Sequence, residues 1–149
     1  MKKAFTIAEL MIVACIIGIL AALVVPMVQD NATEAEGAAA KDNLRVLRSA
    51  IELYESNHGG TPPGYKNDNR SNTPTAEDFV DQTVVQERYM VSMPENPFNG
   101  KTTISIIKDG AVFPAQATGD FGWVYKPASK LIRLDWPGQD KHGTRYFDY

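Results

Sequence analysis

Cysteine and histidine are nearly absent from this chain of 149 residues. The single cysteine, Cys15, excludes a disulfide within the chain, whatever the redox state of its compartment. With only two histidines beside it, His58 and His142, a zinc site or a Cys–His catalytic pair is not expected. We expect both histidines to lie in exposed loops.

A surplus of basic residues is also missing, because 15 Lys and Arg stand against 18 Asp and Glu and the formal net charge is -3. Proteins that bind nucleic acid normally carry a basic surplus, so we expect no nucleic acid as a partner of the folded part. The sequence contains no glycine-rich phosphate loop, nucleophile elbow or metal-binding motif. Its length allows one domain with a modest core. These absences predict a protein that is not an enzyme.

What the chain does contain is a long uncharged segment, residues 10–28, interrupted by Gly18 and Pro26. As a helix it would be roughly 28 Å long, close to the hydrocarbon thickness of a bilayer. Lys2 and Lys3 precede the segment and acidic residues follow it, a pattern that keeps the N-terminus in the cytoplasm. An ordinary signal peptide is the alternative, but no small-x-small cleavage site follows the segment closely.

One carboxylate, that of Glu9, lies directly before the uncharged segment. If the helix begins near Phe5, this group lies at or inside the bilayer, where an ionised side chain normally has a designated partner. A carboxylate is tolerated there when a cation pairs with it in the same apolar surroundings. The alternative is a carboxylate at the level of the lipid headgroups without a special function.

Residues 2–13, KKAFTIAELMIV, resemble the class III signal of prepilins, which type IV pilins share with the pseudopilins of type II secretion. The resemblance implies that prepilin peptidase removes a leader, residues 1–4, by cleavage between Ala4 and Phe5, and that Phe5 is then N-methylated. It also implies that Glu9 is the filament-assembly glutamate, paired with the Phe5 amine of a neighbouring subunit. The family usually has glycine at the position of Ala4, and both residues are small.

The resemblance extends to Gly18 and Pro26. Both residues weaken helices, proline through its missing N–H and its clash with the preceding turn. In pilins, a glycine and a proline at matching distances from the mature N-terminus bracket the segment that loosens in the assembled filament. The alternative is that both residues are simply frequent in membrane helices.

Residues 29–57 predict a continuation of the same helix with one apolar face. Gly59 and Gly60 are expected to end the helix, and Pro62 and Pro63 to prevent its restart. The expected apolar face consists of Ala35, Ala38, Ala39, Leu44, Leu47, Ala50, Ile51 and Tyr54. The helix thus has a membrane half and an amphipathic half, and the C-terminal region must cover the second.

The C-terminal region begins with a loop-rich part. Thr75 is expected to cap a short helix that runs through about Val85. Residues 89–100, which contain Pro94 and Pro97, resemble a proline-rich loop of G-type major pseudopilins. Prolines fix the backbone of such a loop, so we expect it to be anchored on the long helix.

Three strands are expected to complete an α+β pilin fold. They lie at 102–108, 122–126 and 131–135, and an antiparallel sheet of these strands would place one face on the long helix. The Asp109-Gly110 turn signal favours a hairpin after the first strand. Trp123 and Tyr125 are expected on opposite faces of the sheet, so that at most one of them faces the helix.

The aspartates near the C-terminus raise the question of a calcium site, because major pseudopilins carry a calcium-binding loop there and calcium takes oxygen ligands. Asp135 and Asp140 are the weak candidates, with Asp148 nearby in sequence. The acidic, glycine-rich pattern of the family loop is not reproduced, since Lys141 and Arg145 interrupt it. We therefore expect no metal or other cofactor.

Together these features predict three parts: a leader at residues 1–4, a transmembrane and filament-core helix at 5–28, and a periplasmic head at 29–149. The expected function is that of a structural subunit of a type II secretion pseudopilus, which serves protein secretion across the outer membrane. The subunit is expected as a single-pass protein of the bacterial inner membrane before it joins a periplasmic or cell-surface filament. Its expected partners are copies of itself, prepilin peptidase, the inner-membrane assembly platform and minor pilins.

Two other functions remain open. A major or minor pilin of a type IV pilus, serving adhesion, motility or DNA uptake, is the second hypothesis. A membrane-tethered binding module or enzyme with an uncleaved N-terminal helix is the third. The third hypothesis predicts that Glu9 is dispensable and that the mature protein begins at Met1.

Overall fold

The computed structural model describes residues 6–86 and 88–149, and the side chains of residues 23–31 lie outside the description. The chain divides into two compact units, Met1–Ala35 and Glu36–Tyr149. The first unit contains the apolar N-terminal segment. The second unit contains the folded head, which is built from the amphipathic part of the long helix, a short helix and a three-stranded sheet.

Helix α1 spans Ile7–Asn57, and it ends where the sequence predicts. Gly59 and Gly60 follow it with φ angles of 61° and 84°, the left-handed region that glycine tolerates best. The N–H of Gly60 donates to the carbonyl of Glu55 at 2.9 Å, which closes the helix in a Schellman motif. His58 differs from its expected exposure, because its ring stacks on that of Tyr54 with 3.8 Å between centroids and is half-buried.

The buried face of α1 is confirmed from Leu44 to Tyr54 but differs from the expected face before it. Ala35, Ala38 and Ala39 are exposed, whereas Ala40 is fully buried. The buried positions follow alternating steps of three and four residues, which keeps them on one stripe of a helix. They are Gly37, Ala40, Leu44, Leu47, Ile51 and Tyr54, and Ala50 is buried beside Ile51 on the same stripe.

The short helix expected after Thr75 is present. Helix α2 spans Ala76–Val80, and the Thr75 hydroxyl accepts a hydrogen bond from the Asp78 N–H at 3.1 Å. A π-helical turn, Asp81–Gln86, continues it. Three-residue 3₁₀ turns occur at Lys66–Asp68, Pro127–Ser129 and Tyr146–Asp148.

The sheet has the expected three strands, and they lie side by side in chain order. Strand β1 spans Ile104–Ile106, β2 spans Trp123–Lys126 and β3 spans Leu131–Leu134. Strands β2 and β3 form the expected antiparallel hairpin. Strands β1 and β2, however, are parallel, so the sheet is mixed and the prediction of a purely antiparallel sheet is wrong in this pair.

The parallel pairing is made possible by the long connection between the two strands, which we call the crossover loop, residues 107–122. A turn does form near Asp109-Gly110, with the Ala111 N–H donating to the Lys108 carbonyl at 3.0 Å. The chain does not pair there. It returns to the starting end of β1, where the N–H groups of Gly122 and Trp123 both donate to the Thr103 carbonyl, at 2.9 and 3.1 Å. A parallel pair needs a crossover connection of about a dozen residues or more, and the crossover loop is long enough to carry the chain back to that end.

The core lies between residues 40–54 of α1 and one face of the sheet. Trp123 and Tyr125 are both fully buried in it, so the expectation that at most one of them faces the helix is wrong. Residues two apart in a strand point to the same face. Phe79 of α2 packs on Tyr125 with 5.1 Å between ring centroids, which ties the short helix into the same core.

Candidate functional site

Glu9 lies in the first turn of α1 and closes a capping box with Thr6. The Thr6 N–H and the Thr6 hydroxyl both donate to Oε2 of Glu9, at 2.8 and 2.9 Å. In return, the Glu9 N–H donates to the Thr6 hydroxyl oxygen at 3.2 Å. Such a reciprocal pair satisfies N–H groups that a helix start otherwise leaves without partners.

The capping box gives Glu9 a local role that the sequence interpretation missed, although its signal was present. The pattern Thr-x-x-Glu before an apolar run is a capping-box signature, and residues 6–9 match it. The same carboxylate is therefore the helix cap of its own chain and the candidate partner of a neighbouring amine. Substitutions that separate charge from hydrogen bonding can distinguish the two roles.

The first turns of α1 expose apolar side chains all round the helix. Exposed fractions run from 50% at Val13 to 80% at Ile7. The exposed set is Ile7, Leu10, Met11, Ile12, Val13, Ile16, Ile17, Ile19 and Leu20. A helix that is apolar on every side requires apolar surroundings, either lipid or other protein. Within the part of the chain that the structure describes, no helix has a stretch long and apolar enough to cross a membrane.

The other predicted processing and flexibility residues are only partly within the described structure. Ala4 and Phe5, with the leader at residues 1–4, lie outside the described residues. The backbone of α1 is helical through both Gly18 and Pro26. A Cβ added at Gly18 would meet no atom within 4 Å, so the packing of this chain alone does not require glycine there. The roles of these residues therefore stay predictions.

In the head, the proline-rich loop is held by hydrogen bonds to α1 and to the start of β2. The Asn43 amide of α1 donates to the Glu95 carbonyl at 2.8 Å, and the Trp123 indole N–H donates to the Pro94 carbonyl at 2.9 Å. Asn96 is fully buried; its amide donates to the Gly122 carbonyl at 3.1 Å and its oxygen accepts from the Phe98 N–H at 3.0 Å. The loop is thereby anchored on the helix, as expected, and also on the sheet.

Asp135, one of the two weak calcium candidates, fastens the crossover loop to the end of β3. It is buried, and its carboxylate accepts from the Thr118 N–H at 2.7 Å, the Thr118 hydroxyl at 2.9 Å and the Phe121 N–H at 3.0 Å. Burial raises the pKa of Asp135, but the hydrogen bonds from Phe121 and Thr118 outweigh it and lower the pKa below the ordinary value.

This lowered pKa predicts a loss of head stability in acid. A carboxylate with a depressed pKa in the folded state stabilises the fold above its unfolded pKa, and that contribution disappears as the pH falls through its folded pKa. We expect the thermal midpoint of the full-length protein to fall below about pH 4. The Asp135→Asn variant should melt lower at neutral pH and show a flatter pH dependence. A variant with the wild-type pH dependence would contradict this assignment, because other carboxylates would then account for the acid loss.

Asp140 and Asp148 are also engaged within the chain. Asp140 Oδ1 accepts from the N–H groups of His142 and Thr144 at 2.9 and 3.0 Å, and Oδ2 accepts from the Tyr149 hydroxyl at 2.8 Å. Asp148 pairs with two arginines, Arg133 and Arg145, at 2.5 and 2.6 Å. Among the described residues, no group of three or more His, Cys, Asp or Glu could hold a metal ion. This arrangement of donors on every candidate carboxylate does not fit a calcium site.

Comparison with known proteins adds relatives of two kinds. The chain is 36% identical over 61 residues to the type II secretion system core protein G of Pseudomonas aeruginosa, covering 41% of this chain and 43% of that protein. With core protein G of Klebsiella michiganensis it shares 27% identity over 99 residues, 66% of this chain and 70% of the relative. With the type IV major pilin protein PilE1 of Neisseria gonorrhoeae it shares 31% identity over 147 residues, 99% of this chain and 58% of the relative.

The chain thus spans less than half the length of the Pseudomonas protein and less than two thirds of the Neisseria pilin. No family model matches the chain, and no solved structure matches it. The relatives carry the names of filament or secretion components, and none of the three is named as an enzyme.

Proposed function

Because this chain belongs to the type IV pilin-like family, we propose that it is a structural subunit of a pilus-like filament and, within that class, a major pseudopilin of type II secretion. The observation that carries the proposal is the first turn of α1. An ionisable carboxylate at Glu9 stands there among apolar side chains that are exposed all round the helix. A stack of such helices would cover the apolar surface and give the carboxylate a neighbour.

The capping box is compatible with the neighbour that the resemblance implies, the amine of a Phe5 residue. Both Thr6 donors bind Oε2 of Glu9, and a carboxylate has a second oxygen that accepts hydrogen bonds. An amine at the mature terminus, Phe5, would supply a cation at the start of the adjacent helix. Pairing of the two groups in an apolar filament core would remove an uncompensated charge and fix the axial register of the subunits.

We also propose the location and the partners that the resemblance to pilins implies. We place residues 5–28 in the bacterial inner membrane before assembly, with the head, residues 29–149, in the periplasm. Prepilin peptidase would act between Ala4 and Phe5 on the cytoplasmic side. The assembly platform and minor pilins would then move the subunit into a periplasmic or cell-surface filament.

The preference for secretion over a type IV pilus rests on the proline-rich loop and on the core protein G relatives. A type IV pilus subunit is the second candidate, favoured by the similarity to the Neisseria pilin over nearly the whole of this chain. A membrane-tethered module that is not assembled remains the different-class alternative. In such a module, the carboxylate of Glu9 would have no function other than capping its own helix.

Three substitutions separate the cap from the charge. Glu9→Gln removes the charge but keeps a side-chain oxygen for the capping box, since glutamine is accepted at this position. Glu9→Leu removes both, and Thr6→Ala removes the capping hydroxyl but keeps the charge. We expect the two Glu9 variants to lower the yield of sheared filaments about tenfold or more, and Thr6→Ala to change it little. The measurement is immunodetection of sheared filaments at equal subunit levels.

Mass spectrometry of each purified variant provides the control. Every variant should show a terminus at N-methylated Phe5, because cleavage precedes assembly. If Glu9→Gln gives filaments at the wild-type yield, the charge of Glu9 is not needed for assembly and the residue acts only as a helix cap. Intact Met1 in cells with an active prepilin peptidase would contradict processing and support the tethered-module alternative.

A further inference from the structure

Two backbone carbonyls of the crossover loop bind the ammonium group of Lys101. Lys101 Nζ donates to the carbonyl of Gly119 at 3.0 Å and to the carbonyl of Asp120 at 2.8 Å. The Asn99 amide donates to the carbonyls of Gly119 and Phe121, at 3.3 and 2.9 Å. Three successive carbonyls, those of residues 119–121, therefore bind donors from the segment just before β1.

The N–H groups of the same turn serve a different partner. Thr118 and Phe121 donate their N–H groups to Asp135, as described above. The turn at 118–121 thus has carbonyl oxygens bound to a cation and an amide, and N–H groups bound to an anion. Gly119, with a φ of 78°, supplies a left-handed conformation within this turn.

Backbone carbonyls gathered around a positive charge are the ligand type that loops offer to a calcium ion. An ammonium group is a cation with three donors and needs no entry path, because it is tethered to the chain. We propose that Lys101 is the built-in cation of this head: its ammonium group closes the turn at 118–121, so the loop holds its conformation without calcium or any other metal ion. The inference concerns the head alone and does not depend on filament assembly.

The misfit between the carboxylates and calcium supports this view. Asp135, Asp140 and Asp148 all accept hydrogen bonds from protein donors. A metal ion would have to displace those donors to gain the same oxygens. The structure instead joins Lys101, the turn and Asp135 into one connected set of bonds that requires no further ligand.

The test is hydrogen exchange of the full-length protein in detergent, followed by mass spectrometry of peptides that cover residues 117–123. Wild-type exchange in this segment should be the same in excess calcium and in excess chelator. Lys101→Met, which keeps most of the apolar stem, should speed exchange there by about tenfold, because hydrogen bonds to a charged donor are lost. Exchange in residues 44–54 of α1 should not change.

Lys126→Met is the matched control, because Lys126 also donates from Nζ to a crossover-loop carbonyl, that of Ala111 at 2.6 Å, but outside the turn. It should leave residues 117–123 protected. Unchanged exchange in Lys101→Met, or equal loosening in both variants, would overturn the proposal. If Lys101→Met does not fold, the wild-type comparison decides: faster exchange on chelation alone would show that a metal ion holds the turn.

Discussion

Gly122→Ala should destabilise the head by roughly 3 kcal/mol or more, a large part of the stability of an ordinary domain. A methyl group at this position would overlap the carbonyl oxygen of Lys101 and lie 3.0 Å from its carbonyl carbon and 3.1 Å from the carbonyl oxygen of Thr103. All three atoms belong to backbone, which cannot rotate away as a flexible side chain would. The backbone of Gly122 also binds Thr103 and Asp135, so a shift at this point would break several hydrogen bonds together.

The measurement is denaturant or thermal unfolding of the full-length protein, followed by the fluorescence of the buried Trp123. Gly110→Ala is the matched control, because a Cβ there meets no atom within 4 Å. It should unfold like wild type. If Gly122→Ala and Gly110→Ala unfold at the same midpoint, the backbones of Gly122 and Lys101 do not approach each other as closely as described.

Asn96→Asp should have the second large effect, again roughly 3 kcal/mol at neutral pH. The substitution preserves shape but replaces the amide donor to the Gly122 carbonyl with a carboxylate oxygen, in a side chain that is fully buried. The burial and the facing carbonyl both favour the neutral acid, so the pKa of the new group should rise on folding. Its destabilising effect should therefore be small in acid and grow as the pH rises above about 4.

The pH dependence of the difference from wild type is the useful measurement, because it separates a buried charge from a simple packing defect. Asn72→Asp is the control, since Asn72 also donates its amide to a backbone carbonyl, that of Lys66 at 2.9 Å, but is exposed. Water can solvate the new charge there, and we expect little change. Equal effects of the two substitutions would mean that Asn96 is not shielded from solvent.

The features that the sequence predicts correctly depend on local signals. The glycine pair after α1, the Thr75 cap and the two strands of the β2–β3 hairpin all depend on residues close in sequence, and each is found where it was predicted. The capping box at residues 6–9 is local as well. An interpretation of Glu9 through its charge alone does not include this cap.

The features that the sequence does not predict correctly depend on residues that are distant in sequence. A turn forms at Asp109-Gly110, but the chain continues from it to the attachments at Lys101 and Asp135, and β2 then pairs parallel to β1. Glycine is needed at residue 122 because the carbonyl of Lys101, which is distant in sequence, lies where a side chain would be. The residues next to Gly122 in the sequence do not predict this contact. The burial of Asn96 likewise depends on a distant contact, because its amide binds the carbonyl of Gly122. In the N-terminal segment, the roles predicted for Ala4, Phe5, Gly18 and Pro26 rest on the sequence pattern alone.

The parallel pairing of β1 with β2 has a consequence for how the head is made. The β2–β3 hairpin is contiguous and can form early, whereas β1 must wait for a long stretch of chain to close, which costs entropy and time. Until then one edge of β2 presents unpaired N–H and C=O groups. Heads that fold close to one another could join through those edges. Rapid closure of the crossover loop would therefore limit aggregation of newly made heads.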